Sequence, residues 1–421
     1  MIEETVLLLT FPSEDPFAKS PKVRKFLNAV GFNVAPTGQF DRYYRDPLEK
    51  IFSRVVTYEY TRRIFEIGLT RANQEVVTLV RNLHPKYVMW LSSFYELLPS
   101  TFDAIRREGA IVVGWFFDDE IGFETYSRDW ISHLDYFVTN DKEAVGKYRV
   151  MGATAFFSLP CVGEGREDLP APTAKTHDVV FVGRRQPGRD AYFEKWKKLG
   201  LVLETFGPGW GSGPLTYERM LELFRTTKVN LNVSVAYSPR LGVVRQLKAR
   251  PFEVCLAGGF LLTDDAPGLS DCFRVGEEIA CFSGDADLIE KSAYYLSHED
   301  EREAIARRGW QKARSAYSSS RIIGEIFESI QDATATTTSV PPAPGNESRE
   351  YKKGISVCML LWAAIFFVAG RPSLCADALG KWVANHPLHA LRVFPSFLGR
   401  AGTPLGEPAA RPVQPSLGRP A

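Results

Sequence analysis

The chain carries almost no surplus charge of either sign: across 421 residues, 51 Lys and Arg stand against 50 Asp and Glu. Without a basic excess there is no electrostatic footprint for a polyanion, and no nucleic-acid partner is expected. Cysteine is scarce too. The six cysteines, Cys161, Cys255, Cys272, Cys281, Cys358 and Cys375, show no metal-type pairing, and several lie in apolar runs where a reduced thiol packs as a small hydrophobe. That usage suits a reducing compartment. The opening Met-Ile-Glu-Glu-Thr-Val has acids where a secretory leader carries bases, so a cytoplasmic protein is expected.

What is present is the balance of a soluble protein with sizeable cores, 45% apolar and 24% charged, in a chain longer than one ordinary domain. Short apolar runs at 6–10, 87–91, 111–117, 135–139 and 155–159 read as buried strands, with helical spacing between them at 23–30, 73–83, 102–107 and 142–150. Residues 37–65 are aromatic and charged and carry no readable order. After 163–177, which lacks apolar periodicity and holds two prolines, the alternation resumes with strands at 178–182, 202–206, 229–233, 260–262 and 278–282. Strands spaced by helices predict two doubly wound parallel-sheet α/β domains, 1–162 and 178–331, joined by the 163–177 linker.

Residues 332–353 have the composition of a disordered linker, and 354–421 form a basic tail. Its uncharged stretch 354–370 is at the lower edge of the roughly 17 to 25 residues that span a bilayer. The aromatic and basic 381–400 has the pattern of a surface-lying helix interrupted by proline. The expectation is contact with a cytoplasmic membrane surface through 354–400, peripheral or anchored; packing of the tail on the body is the alternative.

In an open parallel sheet, ligands sit beyond the carboxyl ends of the strands, and in the second domain those ends carry distinctive loops. After 178–182 comes Gly183 with Arg184, Arg185 and Arg189, three guanidinium groups just before a helix start, which suits a diphosphate or is a solvated basic turn. Gly207 opens a glycine-rich loop whose Trp210 would stack on a ring, line the cleft or simply anchor the loop. Asn232 lies at the end of the next strand, ahead of a mobile-looking loop at 234–242 whose polar atoms would reach a sugar. Residues 245–257 have helical spacing stopped by Gly258 and Gly259, and Arg245, Lys248, Arg250 and Glu253 at its front are the residues to hold an anionic ligand. Glu253, among apolar neighbours, needs partners; ligand hydroxyls or Arg250 would serve.

The run Arg-Pro-Phe-Glu-Val-Cys-Leu-Ala-Gly-Gly-Phe-Leu-Leu at 250–262, then Pro267, Gly268, Leu269, Phe273, Gly276, Glu277, Glu278 and 288–308, resembles the carboxy-terminal domain of CgeB-type glycosyltransferases. Residues 178–183, Phe206, Gly207, Leu231 and Asn232 fit the same pattern, as do Thr139, Asn140, Asp141, Lys147, Tyr148 and Gly152. The resemblance implies a GT-B architecture, with two Rossmann-like domains facing across a cleft. The second would bind a nucleotide-diphosphate sugar, used as substrate with no cofactor and no metal, and the first a glycan, lipid-linked or protein acceptor. Glu253 would then hold ribose hydroxyls, Arg250 and the Arg184/Arg185 loop would face the diphosphate, Gly207 would lie near the nucleoside, and Gly258 and Gly259 would shape the turn. Related retaining enzymes place a second Glu eight residues before Glu253, where this chain has Arg245.

Leaving-group charge can be met without metal by fixed arginines and a helix amino end. The acidic cluster Asp118, Asp119 and Glu120 would lie on the acceptor side of such a cleft, where one carboxylate, with Asp119 as the candidate, would act as general base in an inverting reaction; a helix amino-terminal cap is the alternative. Glu253, Arg250 and Asp119 are therefore the candidate catalytic residues, and His133 is read as structural. Two other functions compete: a catalytically silent GT-B module, favoured by Arg245, and an epimerase, disfavoured by the scarcity of histidine.

Overall fold

The computed structural model describes residues 1–29, 38–92, 95–165, 174–185, 187–238, 241–336 and 349–385. Its strands are β1 (Ile2–Thr10), β2 (Phe52–Glu59), β3 (Tyr87–Leu91), β4 (Ile111–Phe116), β5 (Tyr136–Thr139), β6 (Thr154–Phe157), β7 (His177–Val182), β8 (Glu204–Phe206), β9 (Thr227–Asn232), β10 (Val235–Ser238), β11 (Gly242–Arg245), β12 (Leu261–Asp264) and β13 (Ala280–Phe282). The helices of the first half are α1 (Pro21–Ala29), α2 (Asp46–Ile51), α3 (Tyr60–Ile67), α4 (Leu69–Leu83), α5 (Pro99–Arg107), α6 (Asp119–Gly122) and α7 (Lys142–Val150). Those that follow are α8 (Pro187–Lys198), α9 (Tyr217–Thr226), α10 (Arg250–Ala257), α11 (Leu269–Cys272), α12 (Gly284–Ser297), α13 (Glu299–Ala316), α14 (Ser319–Thr336), α15 (Arg349–Val368) and α16 (Pro372–Asn385).

Two parallel sheets result, in the orders β2-β1-β3-β4-β5-β6 and β13-β12-β9-β7-β8. The doubly wound pair expected of a GT-B architecture is thus present. Each sheet places its second strand outside its first, so the direction of winding reverses between β1 and β3 and again between β7 and β9. Helices on either side of such a switch point diverge, leaving a crevice at the strands' carboxyl ends.

Alternation along the strands decides the layers. Leu7 and Leu9 of β1 face one apolar cluster, with Trp90, Phe116 and Phe137, while Val6 and Leu8 face another, with Met89, Trp115 and Val138. The second of these clusters runs on into the other sheet through Val180, Val182, Phe252 and Leu261, and α14 joins it. Phe327 of α14 packs edge-on against Phe52 and Tyr87, at ring separations of 4.8 and 5.2 Å. The two halves share one core.

Residues 37–65, unreadable by pattern, hold a π-helical turn at Asp41–Arg45, α2 and the edge strand β2. The loop expected at 234–242 is instead the antiparallel hairpin β10–β11, and Arg245 ends its second strand rather than entering the helix, which starts at Arg250. Most of the 163–177 linker lies outside the described residues. Of 332–353, residues 332–336 continue α14 and 349–353 begin α15, so both described ends of that stretch are helical.

The tail forms an antiparallel hairpin, α15–α16, docked on the first domain. Helix residues Tyr351–Val368 are long and apolar enough to cross a membrane, yet Ile355, Met359, Trp362 and Phe366 are buried in the cluster of Trp90 and Tyr95. A Cβ on Gly354 would come within 2.1 Å of the Tyr95 ring, so this contact admits no side chain. Asp377 accepts from the Thr70 amide at 3.1 Å and its hydroxyl at 2.6 Å, satisfying an otherwise open amide in the first turn of α4. Arg371 lies 4.4 Å over the Phe65 ring and bonds the Phe65 carbonyl. Residues 381–385 end α16 with Trp382 buried, and the rest of 381–400 lies outside the described residues. Trp362→Ala should therefore cost about 3–5 kcal/mol, read as a lower denaturation midpoint; a helix lying off the body would leave the midpoint unchanged.

Candidate functional site

The crevice at the second switch point is floored by the ends of β7 and β9. Gly183 follows β7, and its amide donates to the Phe206 carbonyl at 2.9 Å. Gly207, with φ of +118°, lies so close that a Cβ there would meet the Gly183 oxygen at 2.6 Å, which explains glycine at the start of that loop. Trp210 closes the loop from above. Its indole N–H donates to the Gly183 carbonyl at 2.8 Å, while its ring stacks on Phe193 at 5.8 Å and the Arg185 guanidinium lies 5.6 Å from the ring centre. Of the three roles weighed for Trp210, loop anchor fits this geometry.

The basic residues divide. Arg184 and Arg185 are exposed at the rim, Arg185 bonded to Asp190 at 3.0 Å. Arg189 turns inward over the Phe181 ring, donating to the Arg184 and Val235 carbonyls. Among the described residues no carboxylate lies within ion-pair distance of it, and its buried Nε has no hydrogen-bond partner. Burial first, then the neighbouring Arg250 and Arg184 guanidinium groups, push its pKa down from the usual arginine value. Lys248 approaches from the other side, bonded to the Gln246 amide oxygen and 3.7 Å from Asp118; burial lowers its pKa against the pull of Asp118 and Glu120. Of these cations Arg189, desolvated and without a carboxylate at ion-pair distance among the described residues, is the one whose charge is left unmatched.

Arg250 and Glu253 occupy the first turn of α10, where both sit near the helix's open amides. They form an ion pair, and Arg250 also lies 5.2 Å from the Phe224 ring centre. Glu253 is 1% exposed. It accepts from the Tyr43 hydroxyl and from the Gln39 amide at 3.0 Å, both belonging to the first domain. Gly258 ends α10 in the left-handed region, and a Cβ on Gly259 would meet the Phe224 oxygen at 2.7 Å.

Three candidates are committed elsewhere. Arg245 bonds Asp264 at 3.0 Å and the Asp265 carbonyl at 2.7 Å, pinning the β10–β11 hairpin to the end of β12, so it makes no part of the cation cluster. Asn232 donates to Thr263 at 2.9 Å within the sheet. Asp119 is turned into the first domain, 1% exposed, accepting from Ser127 and, at 3.1 Å, from the Tyr148 hydroxyl. The cluster does stand at the amino end of α6, with Asp118 at the N-cap position, but the Asp118 side chain makes no capping hydrogen bond.

The acids that reach the cleft are Asp118, held at φ +56°, and Glu120; the Gln246 amide donates to them at 3.1 and 3.0 Å. Burial raises the Glu120 pKa. His133 pairs with Asp103 at 2.8 Å. Sequence reasoning missed Tyr43, Gln39 and Gln246. No periodic signal marks the first two, and Gln246 stood in full view between the cations.

These features define a two-domain α/β protein with a cleft lined by basic residues between its parallel sheets. Residues 185–328 match the family described as "Glycosyl transferase-like", so the second half carries a glycosyl transferase-like domain. No curated protein matches the sequence. Similar solved structures include the Anabaena protein HepE in complex with UDP and glucose, 11% identical with a TM-score of 0.48 over 78% of this chain and 100% of that one. Sucrose-phosphate synthase from Thermosynechococcus elongatus is 9% identical, TM-score 0.47, over 80% and 100%. A glycosyltransferase involved in avilamycin A biosynthesis is 12% identical, TM-score 0.48, over 79% and 99%.

Burial raises the Asp119 pKa to about 6. A carboxyl raised above its unfolded value of about 3.9 binds its proton more tightly when folded, so stability falls as pH rises between the two values. Wild type should lose on the order of 3 kcal/mol relative to Asp119→Asn between about pH 4 and pH 7, measured by denaturant titration at both.

Proposed function

We propose that the protein is a CgeB-type glycosyltransferase that moves a sugar from a nucleoside-diphosphate donor to a hydroxyl of a glycan, lipid-linked or protein acceptor. The observation that carries this reading is Arg189, a half-buried guanidinium at the β7/β9 switch point that neighbours Arg250 and Arg184 and, among the described residues, has no carboxylate within ion-pair distance. A diphosphate supplies the missing charge in the geometry guanidinium groups favour. The glycosyl transferase-like match over 185–328 supports it, as does the HepE structure's complex with UDP-glucose.

In this mechanism Arg189, Arg250 and Lys248 meet the charge that develops as the bond from sugar to diphosphate breaks, which removes the need for a metal. Glu253 receives the ribose hydroxyls. Asp118 and Glu120, the carboxylates bonded by Gln246, lie where an acceptor would enter, and Glu120 takes the base role first considered for Asp119. The outer face of α15, where Val357 and Phe367 are exposed, would rest on the cytoplasmic membrane surface in vivo.

A second reading, a silent nucleotide-sugar-binding module, draws on Arg245, which is tied to Asp264 where related enzymes place a carboxylate.

Calorimetry with UDP-, GDP-, TDP- and CMP-sugars should find a donor, and Arg189→Ala and Arg250→Ala should each weaken it by about 1.5–3 kcal/mol, ten- to a hundred-fold. Binding of none of them would remove the transferase reading. Slow donor hydrolysis by wild type separates an enzyme from the silent module.

A further inference from the structure

We propose that Tyr43 holds the place of a donor ribose hydroxyl on Glu253, with Gln39 beside it, and that nucleotide binding exchanges these first-domain groups for the ribose. The inference rests on the donor reading above. It starts from occupancy: Glu253 is 1% exposed, its Oε1 accepting from the Tyr43 hydroxyl and the Gln39 amide while its Oε2 faces the Arg250 guanidinium and has no hydrogen-bond partner among the described residues. Tyr217, packed edge-on to Tyr43 at 5.7 Å, is buried beside them. Because both first-domain bonds fall on the buried Oε1, a ribose reaches that oxygen by displacing Tyr43 and Gln39.

Arg250 is the partner that stays, being one turn away on the same helix and carrying the compensating charge. Tyr43 and Gln39 come from the other domain. Both are neutral donors, and burial together with the nearby carboxylate pushes the Tyr43 pKa well above the ordinary phenol value, so it keeps the proton it donates. The vicinal hydroxyls of a ribose are also two neutral donors. Exchange therefore leaves the number of bonds to Glu253 unchanged and at no point strands a buried carboxylate, which would cost far more than either bound state.

The local backbone suits a movable part. Tyr43 sits at the centre of the five-residue π-helical turn Asp41–Arg45, a form that occurs mostly as single turns and is frequent at functional sites. Relaxing the extra residue into α-helix rotates each side chain by about 100° around the axis, enough to carry Tyr43 off Glu253. The turn's further ties to the second domain that would yield include the Tyr43–Tyr217 ring contact and the exposed Arg42–Glu218 pair at 3.3 Å, of which the ion pair costs little to break. Donor binding would in this way be reported to the first domain, where the acceptor is expected.

The test compares UDP, GDP and TDP with the 2′,3′-dideoxy form of whichever binds, using the full chain. Tyr43→Phe should bind the ribonucleotide several-fold to about tenfold more tightly, because the competing bond is gone, and should show no gain for the dideoxy form. As a readout that does not depend on the variant folding, 3-fluorotyrosine at position 43 should shift its 19F resonance on adding the ribonucleotide but not the dideoxy form. Equal or weaker ribonucleotide binding by Tyr43→Phe, or an unmoved resonance at saturation, would make Tyr43 a permanent domain clamp and overturn the proposal while leaving the donor reading intact. Absence of binding by both wild type and variant would overturn both.

Discussion

A carboxylate taken out of water must be matched, and the burial of Glu253 at the join of the two halves is the constraint to which the surrounding structure answers. Its helix begins at Arg250, which supplies the charge, and ends at Gly258 and Gly259, which let the chain turn tightly into β12 beneath Phe224. The remaining partners come from residues more than two hundred positions away. Both of those bonds fall on one oxygen and Arg250 faces the other, so the first domain's π-helical turn and the first turn of α10 meet on a single buried carboxylate.

The cleft above this pair shows how two sheets of the same winding create a site that neither holds alone. Each sheet reverses direction between its first and third strands, and chain connections diverge there. On the second sheet the opening is lined by Arg189, Lys248 and Arg250. Across from it stand Asp118 and Glu120, with Gln246 reaching over from the second half. Arg250 is paired with Glu253 and Lys248 lies 3.7 Å from Asp118, which leaves Arg189 as the cation of this group without a carboxylate at ion-pair distance among the described residues.

The carboxy-terminal hairpin illustrates a different balance. Composition marks 354–370 as apolar without saying which solvent those residues avoid. In the structure one side of α15 completes the core of the first domain, with Trp362 and Phe366 buried, while Phe367 and Val357 on the other side remain exposed. The same helix therefore serves as core and presents an apolar outer surface.

By itself the sequence determined what depends on neighbours along the chain. Buried runs such as 87–91 and 178–182, alternating with helical spacing, dictate parallel strands and covering helices, and glycine at 258 and 259 dictates where α10 stops. Basic residues ahead of that helix were legible as an anion site for the same reason. Only the tertiary structure decided which of them face the cleft. Arg245 is drawn to Asp264 by the hairpin, which no periodicity announces, and left-handed Asp118 sends Asp119 inward while Glu120 reaches the cleft. Tyr43 and Glu253 meet across 210 residues. Local spacing encodes secondary structure, but such pairings arise from how two sheets dock, and docking is settled by shape and buried area summed over the whole chain.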